Sequence, residues 1–364
     1  MRKGRLTSAR RDALIVAAWV SVAINALIFG SIGSAHAAPV FTGDIFFTTF
    51  NPTIPVPGSN VPANVGEVPY SYNGTTFSLG SITPIARTIG ADGIVFDPNT
   101  GHLLVGGQGF DATAPVHEVN QNVAINGSNP SSNNVISVQA GSPFGAYHLS
   151  VSPDGKTVYA AGIPGGIGSV SLPLSSNGTT ITVSGDVNGV DTLVFAAGKT
   201  FFSSSDAGGT LGVFGTIDLS TGVTTALIRD IDIHGMALDP LTGDIIAFGA
   251  NTISQIDPTN PTVIKSQTSF SSPSPLTFDQ GTVDGFGHAF VASNEGYLLF
   301  MDYSASDLVG DPSNFTSLPF LVTNLDDVAP LVGPGSSVPE PASLTLLGVA
   351  FLGMGWTRMR KKNG

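Results

Sequence analysis

Between residues 92 and 303 the hydrophobic pattern repeats one phrase five times: a short apolar run, a turn built on glycine, then a second apolar run. The copies are DGIVFDPNTGHLLVGGQG from Asp92, HLSVSPDGKTVYAAGI from His148, DTLVFAAGKTFFSSS from Asp191, HGMALDPLTGDIIAFGANTISQIDP from His234 and GTVDGFGHAFVASNEGYLLFMDY from Gly281. The runs alternate at period two or are apolar throughout, and no long stripe at helical spacing interrupts them, so they predict strands. The turn glycines are Gly101, Gly155, Gly198, Gly243 and Gly287, in settings such as Pro-Asp-Gly and Asn-Thr-Gly that supply the positive φ of tight hairpins. Successive turn glycines lie 54, 43, 45 and 44 residues apart.

A period near 45 residues with several strands per unit predicts an all-β β-propeller. A sandwich, the competing all-β arrangement, has no reason to repeat at this interval. LDDVAPLV (325–332) reads as the first strand of a further phrase, and the strands it lacks are available near the other end: GDIFFTTF (43–50), VPYSYNG (68–74) and TFSLGSITPI (76–85). Five phrases plus one blade shared by both chain ends gives six blades of about 49 residues; seven of about 42 would also fit, and six is the number adopted. NPTIPVPGSNVPANVG (51–66) reads as a proline-rich loop. VSPDGKTVYAAG and ALDPLTGDIIAFG resemble the repeats of YVTN and NHL-type propellers, a likeness that bears on fold and not on activity.

The two ends read differently. Residues 1–37 have a basic start through Arg11, an apolar stretch and the small-residue site Ala35-His36-Ala37, which together predict a signal peptide cut before Ala38. At the other end Pro339-Glu340-Pro341 precedes about 15 mostly apolar residues, short for a bilayer span, and then Arg358, Arg360, Lys361 and Lys362. Motif, short hydrophobic helix and basic tail, in that order, resemble the sorting segment of PEP-CTERM proteins of Gram-negative bacteria. The resemblance implies recognition of Pro339, Glu340 and Pro341 by an exosortase, a transient inner-membrane intermediate with the basic tail inside, and delivery to the cell surface or the extracellular polysaccharide matrix. The expected division is therefore signal peptide (1–37), propeller (38–332), linker (333–337) and sorting segment (338–364), with hydrophobic helices at both ends.

Charge sharpens this picture. Only 11% of the 364 residues are charged, and the basic ones crowd the two ends. Between the ends stand five basic and 24 acidic side chains, a net charge of −19. Such a body repels phosphate backbones, which excludes a nucleic-acid partner, and it attracts cations. With no cysteine, disulfides, thiolate metal sites and thiol nucleophiles are excluded too.

The first strand of each phrase should line the central channel, and at or near its start stand Asp92, His148, Asp191, His234, Asp279 or Asp284, and Asp326. Imidazoles and carboxylates converging on one axis can hold a divalent metal ion, so His148, His234, Asp92 and Asp191 are the metal candidates. A shared site requires them within about 5 Å of one point. Nine residues separate Asp92 from Gly101 and His234 from Gly243, but seven separate His148 from Gly155 and Asp191 from Gly198. A one-residue slip turns a side chain to the opposite face, which would set Tyr147 rather than His148 beside His234. In the plainer reading these residues only cap strands and bond loops. His102 and His288, just after turn glycines, read as surface positions, and His117-Glu118 as part of a loop.

No other motif carries chemistry: there is no Gly-x-Ser-x-Gly elbow, and the glycine-rich stretches lack the lysine and helix of a phosphate loop. The reading adopted is a secreted, surface-sorted propeller that acts as a binding or structural module toward exopolysaccharide or a surface protein. The alternative is a propeller enzyme of lactonase, lyase or hydrolase type with a metal in its channel.

Overall fold

The computed structural model describes residues 41–329, apart from 108–113, 126–133, 143–144, 163–165 and 205–211. The expected signal peptide, sorting segment and terminal helices lie outside the described residues. No helix among the described residues is long and apolar enough to cross a membrane.

Strands β1 (Phe41–Thr49), β2 (Val65–Tyr72), β3 (Phe77–Leu79) and β4 (Thr83–Ala86) come first in the chain. They are followed by β5 (Ile94–Phe96), β6 (Leu103–Gly106), β7 (Pro115–Val119) and β8 (Val135–Gln139), which form one antiparallel sheet in that order. The next sheet is β9 (His148–Val151), β10 (Thr157–Gly162), β11 (Gly166–Ser171) and β12 (Thr179–Thr182). A third holds β14 (Thr192–Ala196), β15 (Lys199–Ser204), β16 (Val213–Asp218) and β17 (Val223–Arg229), with the short β13 (Ser184–Gly185) on its outer edge. The fourth is β18 (Gly235–Leu238), β19 (Ile245–Gly249), β20 (Thr252–Ile256) and β21 (Ile264–Ser269). The fifth is β22 (Phe278–Val283), β23 (His288–Ser293), β24 (Leu298–Asp302) and β25 (Phe315–Ser317). The last strand, β26 (Leu325–Val328), pairs antiparallel with β1 and completes a sixth sheet in the order β26-β1-β2-β3, with β4 paired to β2.

The protein is thus a six-bladed β-propeller, and one blade is built from both ends of the described chain. Inner strands β5, β9, β14, β18, β22 and β26 contact one another in a closed ring. The five turn glycines read from the sequence all have positive φ, between 69° and 89°. One expected strand, residues 76–85, is instead divided into β3 and β4.

Why the strands are apolar on both faces is visible in β19. Ile245 and Ala247 pack into the layer shared with the third blade, with Phe201 and Phe214. Ile246 and Phe248 pack the other way, with Phe278, Ala289 and Leu299 of the fifth. Each blade is sandwiched between two neighbours, so alternation at period two still buries every residue of β19. The seam next to the closing blade is aromatic: Phe77 stacks on Phe300 with centroids 4.3 Å apart, and Tyr70 meets Phe290 edge-on. Phe41 and Tyr72–Thr76 group apart from the propeller unit, and there Phe41 stacks against Tyr72.

Two histidines depart from their sequence reading. His288 is buried rather than at the surface, its Nδ1 2.5 Å from Asp284 Oδ2, because β23 continues inward directly from the turn. His117 lies on β7 and not in a loop. Its Nε2–H donates to the Ile89 carbonyl (3.3 Å), so Nδ1 accepts from the Ser137 hydroxyl (2.6 Å). Burial pushes the His117 imidazole below its usual pKa, against the smaller opposing effect of the Ile89 bond. Below pH ~6.5 the unfolded chain takes up a proton that folded His117 refuses, so its contribution to stability falls as pH drops. In thermal melts from pH 7.5 to 5, His117→Gln should therefore lose less stability than the unmodified chain. A parallel loss in both would contradict the assignment.

Candidate functional site

At one end of the channel the starts of the inner strands bring together Asp92, His148, Asp279, Asp326 and Asp327. Two bulges set this up. The register of β26 on β1 shifts between Phe47↔Val328 and Thr49↔Leu325, so Asp326 and Asp327 both lie opposite Thr48. Likewise β22 shifts against β23 between Phe278 and Gly281, placing Asp279 and Gln280 in the extra-residue position. Such a bulge breaks the strict alternation of sides and re-aims side chains. Here it occurs in two inner strands that are neighbours in the ring.

One oxygen or nitrogen each from Asp92, His148 and Asp327 lie within 4.8 Å of one another, and so do oxygens of Asp279, Asp326 and Asp327. His148 Nδ1–H donates to the Asp191 carbonyl at 2.9 Å, which fixes that nitrogen as a donor. Nε2 then faces the carboxylates, 2.9 Å from Asp279 Oδ1 and 3.8 Å from Asp327 Oδ1. Asp327 is held from two sides: Gln280 N–H donates to its Oδ1 (3.2 Å), and its own N–H donates to Thr48 Oγ1 (3.1 Å). The Thr48 hydroxyl donates in turn to the Asp92 carbonyl (2.7 Å), tying three inner-channel elements together.

Glycine is required where β5 and β9 meet. The Gly93 N–H bonds the Tyr147 carbonyl, and a Cβ at Gly93 would lie 2.5 Å from that oxygen and 2.8 Å from the His148 Cα. Any side chain there would push Asp92 and His148 apart.

Four carboxyl groups this close cannot all ionise. Burial, then the charges of Asp92, Asp279 and Asp327, push the Asp326 carboxyl well above the usual range, and it shares a hydrogen bond with Asp92. Burial also drives Asp327 well up; His148 opposes this, while Asp279 and Asp92 add to it. Burial alone would lower His148, but the charge of Asp327, the bond from Asp279 and the charge of Asp92 outweigh it and raise the imidazole well above its usual value. For Asp279 burial is overcome by the His148 bond and the positive charges of His148 and His234, so its net shift is downward. Asp327 Oδ2 and Asp326 Oδ2 are buried with no hydrogen-bond partner.

Of the four metal candidates read from the sequence, the structure brings together Asp92 and His148. Asp191 meets the cluster through its main-chain carbonyl on His148. His234 stands beside it, its Nε2 3.1 Å from Asp232 Oδ1; that bond raises its pKa against burial, with Asp279 assisting. Of the further positions noted at strand starts, Asp279 and Asp326 join the cluster, whereas Asp284 pairs with His288 elsewhere. Asp327 has no sequence signal of its own: alternation assigns only one of two adjacent aspartates to the axis, and only the bulge admits both.

An imidazole whose second nitrogen donates to a main-chain carbonyl is the usual arrangement of a metal-ligating histidine. With carboxylates of Asp279, Asp327 and Asp92 around the His148 ring, this donor set suits a divalent cation. One imidazole disfavours Ca²⁺, and the carboxylate excess favours Mn²⁺ among the transition ions.

Residues 337–361 match the family model described as the PEP-CTERM protein-sorting motif. A six-bladed β-propeller carrying that motif is the class this chain falls in, and the motif implies processing by an exosortase and export to the cell envelope or surface. No curated protein matches the chain. Among solved structures it is similar to the WD40 propeller domain of Doa1 (16% identity, TM-score 0.44, covering 74% of this chain and 100% of that one). It is also similar to Kuenenia stuttgartiensis hydrazine synthase (12%, 0.42, covering 70% and 76%). A third similar structure is a protein from Lactobacillus plantarum (10%, 0.46, covering 78% and 83%). The YVTN and NHL likeness gains nothing from these comparisons.

Proposed function

We propose that this protein is an exported, envelope-sorted binding module whose propeller holds a divalent cation at the acidic end of its channel. The observation that carries this reading is the pair of buried, unpartnered oxygens on Asp326 and Asp327, beside a histidine already oriented through Asp191. The cation would replace the Nε2 proton of His148 and take oxygens of Asp92 and Asp327, with Asp279 and Asp326 grouped on the other side of Asp327. Asp279, with 13% of its side chain exposed, is the member that reaches toward solvent. A cation there offers an open coordination position to a hydroxyl or carboxylate of a matrix polysaccharide or surface protein. Elemental mass spectrometry on the full chain, purified without chelators, should find about one divalent ion per chain, lost in His148→Ala and Asp327→Asn. A metal-free chain in cation-supplemented buffer would contradict the reading.

The same reading divides the chain into a signal peptide cut at Ala35-His36-Ala37, the propeller, a linker at 333–337 and the sorting segment from 338. The protein passes through an inner-membrane intermediate before reaching the surface or matrix. Replacing Pro339, Glu340 and Pro341 together by alanine should leave the chain unprocessed and membrane-bound in a host with an exosortase. Normal processing of that variant would contradict the role of the motif.

A further inference from the structure

The channel changes character along its length. From one residue past the acidic cluster, at Leu149 and Gln280, to the hairpin turn at Pro153, five inner strands line a cavity of about 370 Å³. Its lining is mostly apolar, with Val151, Phe195, Leu238 and Val283 among the residues, and Ser150, Gln280 and Thr282 are its polar members. No lining residue is ionisable, in a body that carries 24 acidic side chains. The Ser150 hydroxyl in the wall is already committed, donating to the Leu193 carbonyl at 2.7 Å. Leu238 stands at the cavity with 39% of its surface exposed.

This volume lies in the range of small-molecule sites, and cavities with apolar walls take apolar occupants in preference to water. Strands from five blades surround the space, so it runs along the propeller axis and suits a linear group. Asp154 and Lys156, on the hairpin turn after β9, keep 60% and 78% of their side chains exposed. These charges stand beside Pro153, which lines the cavity, where a polar head group would sit.

We propose that this end of the channel holds the alkyl chain of a single-chain amphiphile, with the head group left among the hairpin turns. The occupant lies on the hairpin-turn side of the cation and does not depend on it. The chain has no cysteine, so Leu238→Cys gives one thiol at the cavity, which methyl, butyl and octyl methanethiosulfonates modify through a disulfide. On the full chain, the octyl label should raise the melting temperature by roughly 5 °C over the methyl label, with butyl between, because buried methylenes stabilise in proportion to their number. The same series on Val263→Cys, a position 57% exposed at the outer edge, should show no such gradient. The gradient should persist in EDTA. An octyl label that leaves the melting temperature within about 1 °C of the methyl form, or lowers it, would overturn the proposal. So would a gradient that vanishes in EDTA. Should Leu238→Cys fail to fold, Pro153→Cys, also on the cavity lining and exposed, repeats the series and decides the matter.

Discussion

Adding Mn²⁺ to the metal-free protein should raise its melting temperature by about 5 °C, and Asp327→Asn should abolish that rise while making the metal-free form more stable than wild type. The first half follows from linkage: a cation at one hundred times its dissociation constant stabilises the state that binds it by about 2.7 kcal/mol. For a body of this size each kcal/mol moves the midpoint by roughly 2 °C. The second half follows from the cluster itself. Without a cation, Asp327 stands fully buried among Asp92, Asp279 and Asp326, and its carboxyl is forced well above the normal range. An asparagine keeps the Oδ1 acceptor for the Gln280 N–H and removes the ionisable group. Relief of repulsion should contribute on the order of 1 kcal/mol. A cluster that serves only to bond strands together predicts the opposite sign, because breaking a buried network destabilises. Scanning calorimetry with EDTA and with Mn²⁺, on both proteins, separates the two.

Ending the chain after Asn324 should abolish cooperative unfolding, whereas ending it after Ser337 should leave the propeller's melting unchanged. Among the described residues, β26 and Ala329 distinguish these truncations. β26 supplies the inner strand of the closing blade, with Val328 opposite Phe47 and Leu325 opposite Thr49. Leu325, Val328 and Ala329 are completely buried. Losing the two larger side chains costs about 3–6 kcal/mol of burial, before counting the exposed edge of β1 and the opened ring. That is comparable to the whole stability of an ordinary domain. Val328→Asp makes the same point in the full chain, since it places an unpaired carboxylate in the seam. A cooperative melt for the chain ended at Asn324 would show that the ring does not depend on its closing strand.

Much of this architecture was legible because it is periodic. Hairpins around Gly101, Gly155, Gly198, Gly243 and Gly287 advertise themselves through turn chemistry and apolar flanks, and LDDV reads as a strand with missing partners. The channel end was legible only in part. Asp92 and His148 sit where strand starts must converge, but the grouping of His148 with Asp279 and Asp327 depends on bulges in β22 and β26. A bulge is a one-residue departure from alternation, and nothing in the residues Asp279-Gln280 or Asp326-Asp327 announces it. Asp191 is a related case: it holds His148 through its main-chain carbonyl, and side-chain patterns carry no information about main-chain acceptors. Phe77 and Phe300 meet across sheets far apart in sequence, which no local pattern encodes.

Anomalous diffraction from crystals grown with Mn²⁺ tests the cation most directly. One peak in the channel, about 2.1 Å from His148 Nε2 and from carboxylate oxygens of Asp92 and Asp327, is the expected result. A map with no peak in the channel, and with His148 Nε2 still hydrogen-bonded to Asp279, would contradict it.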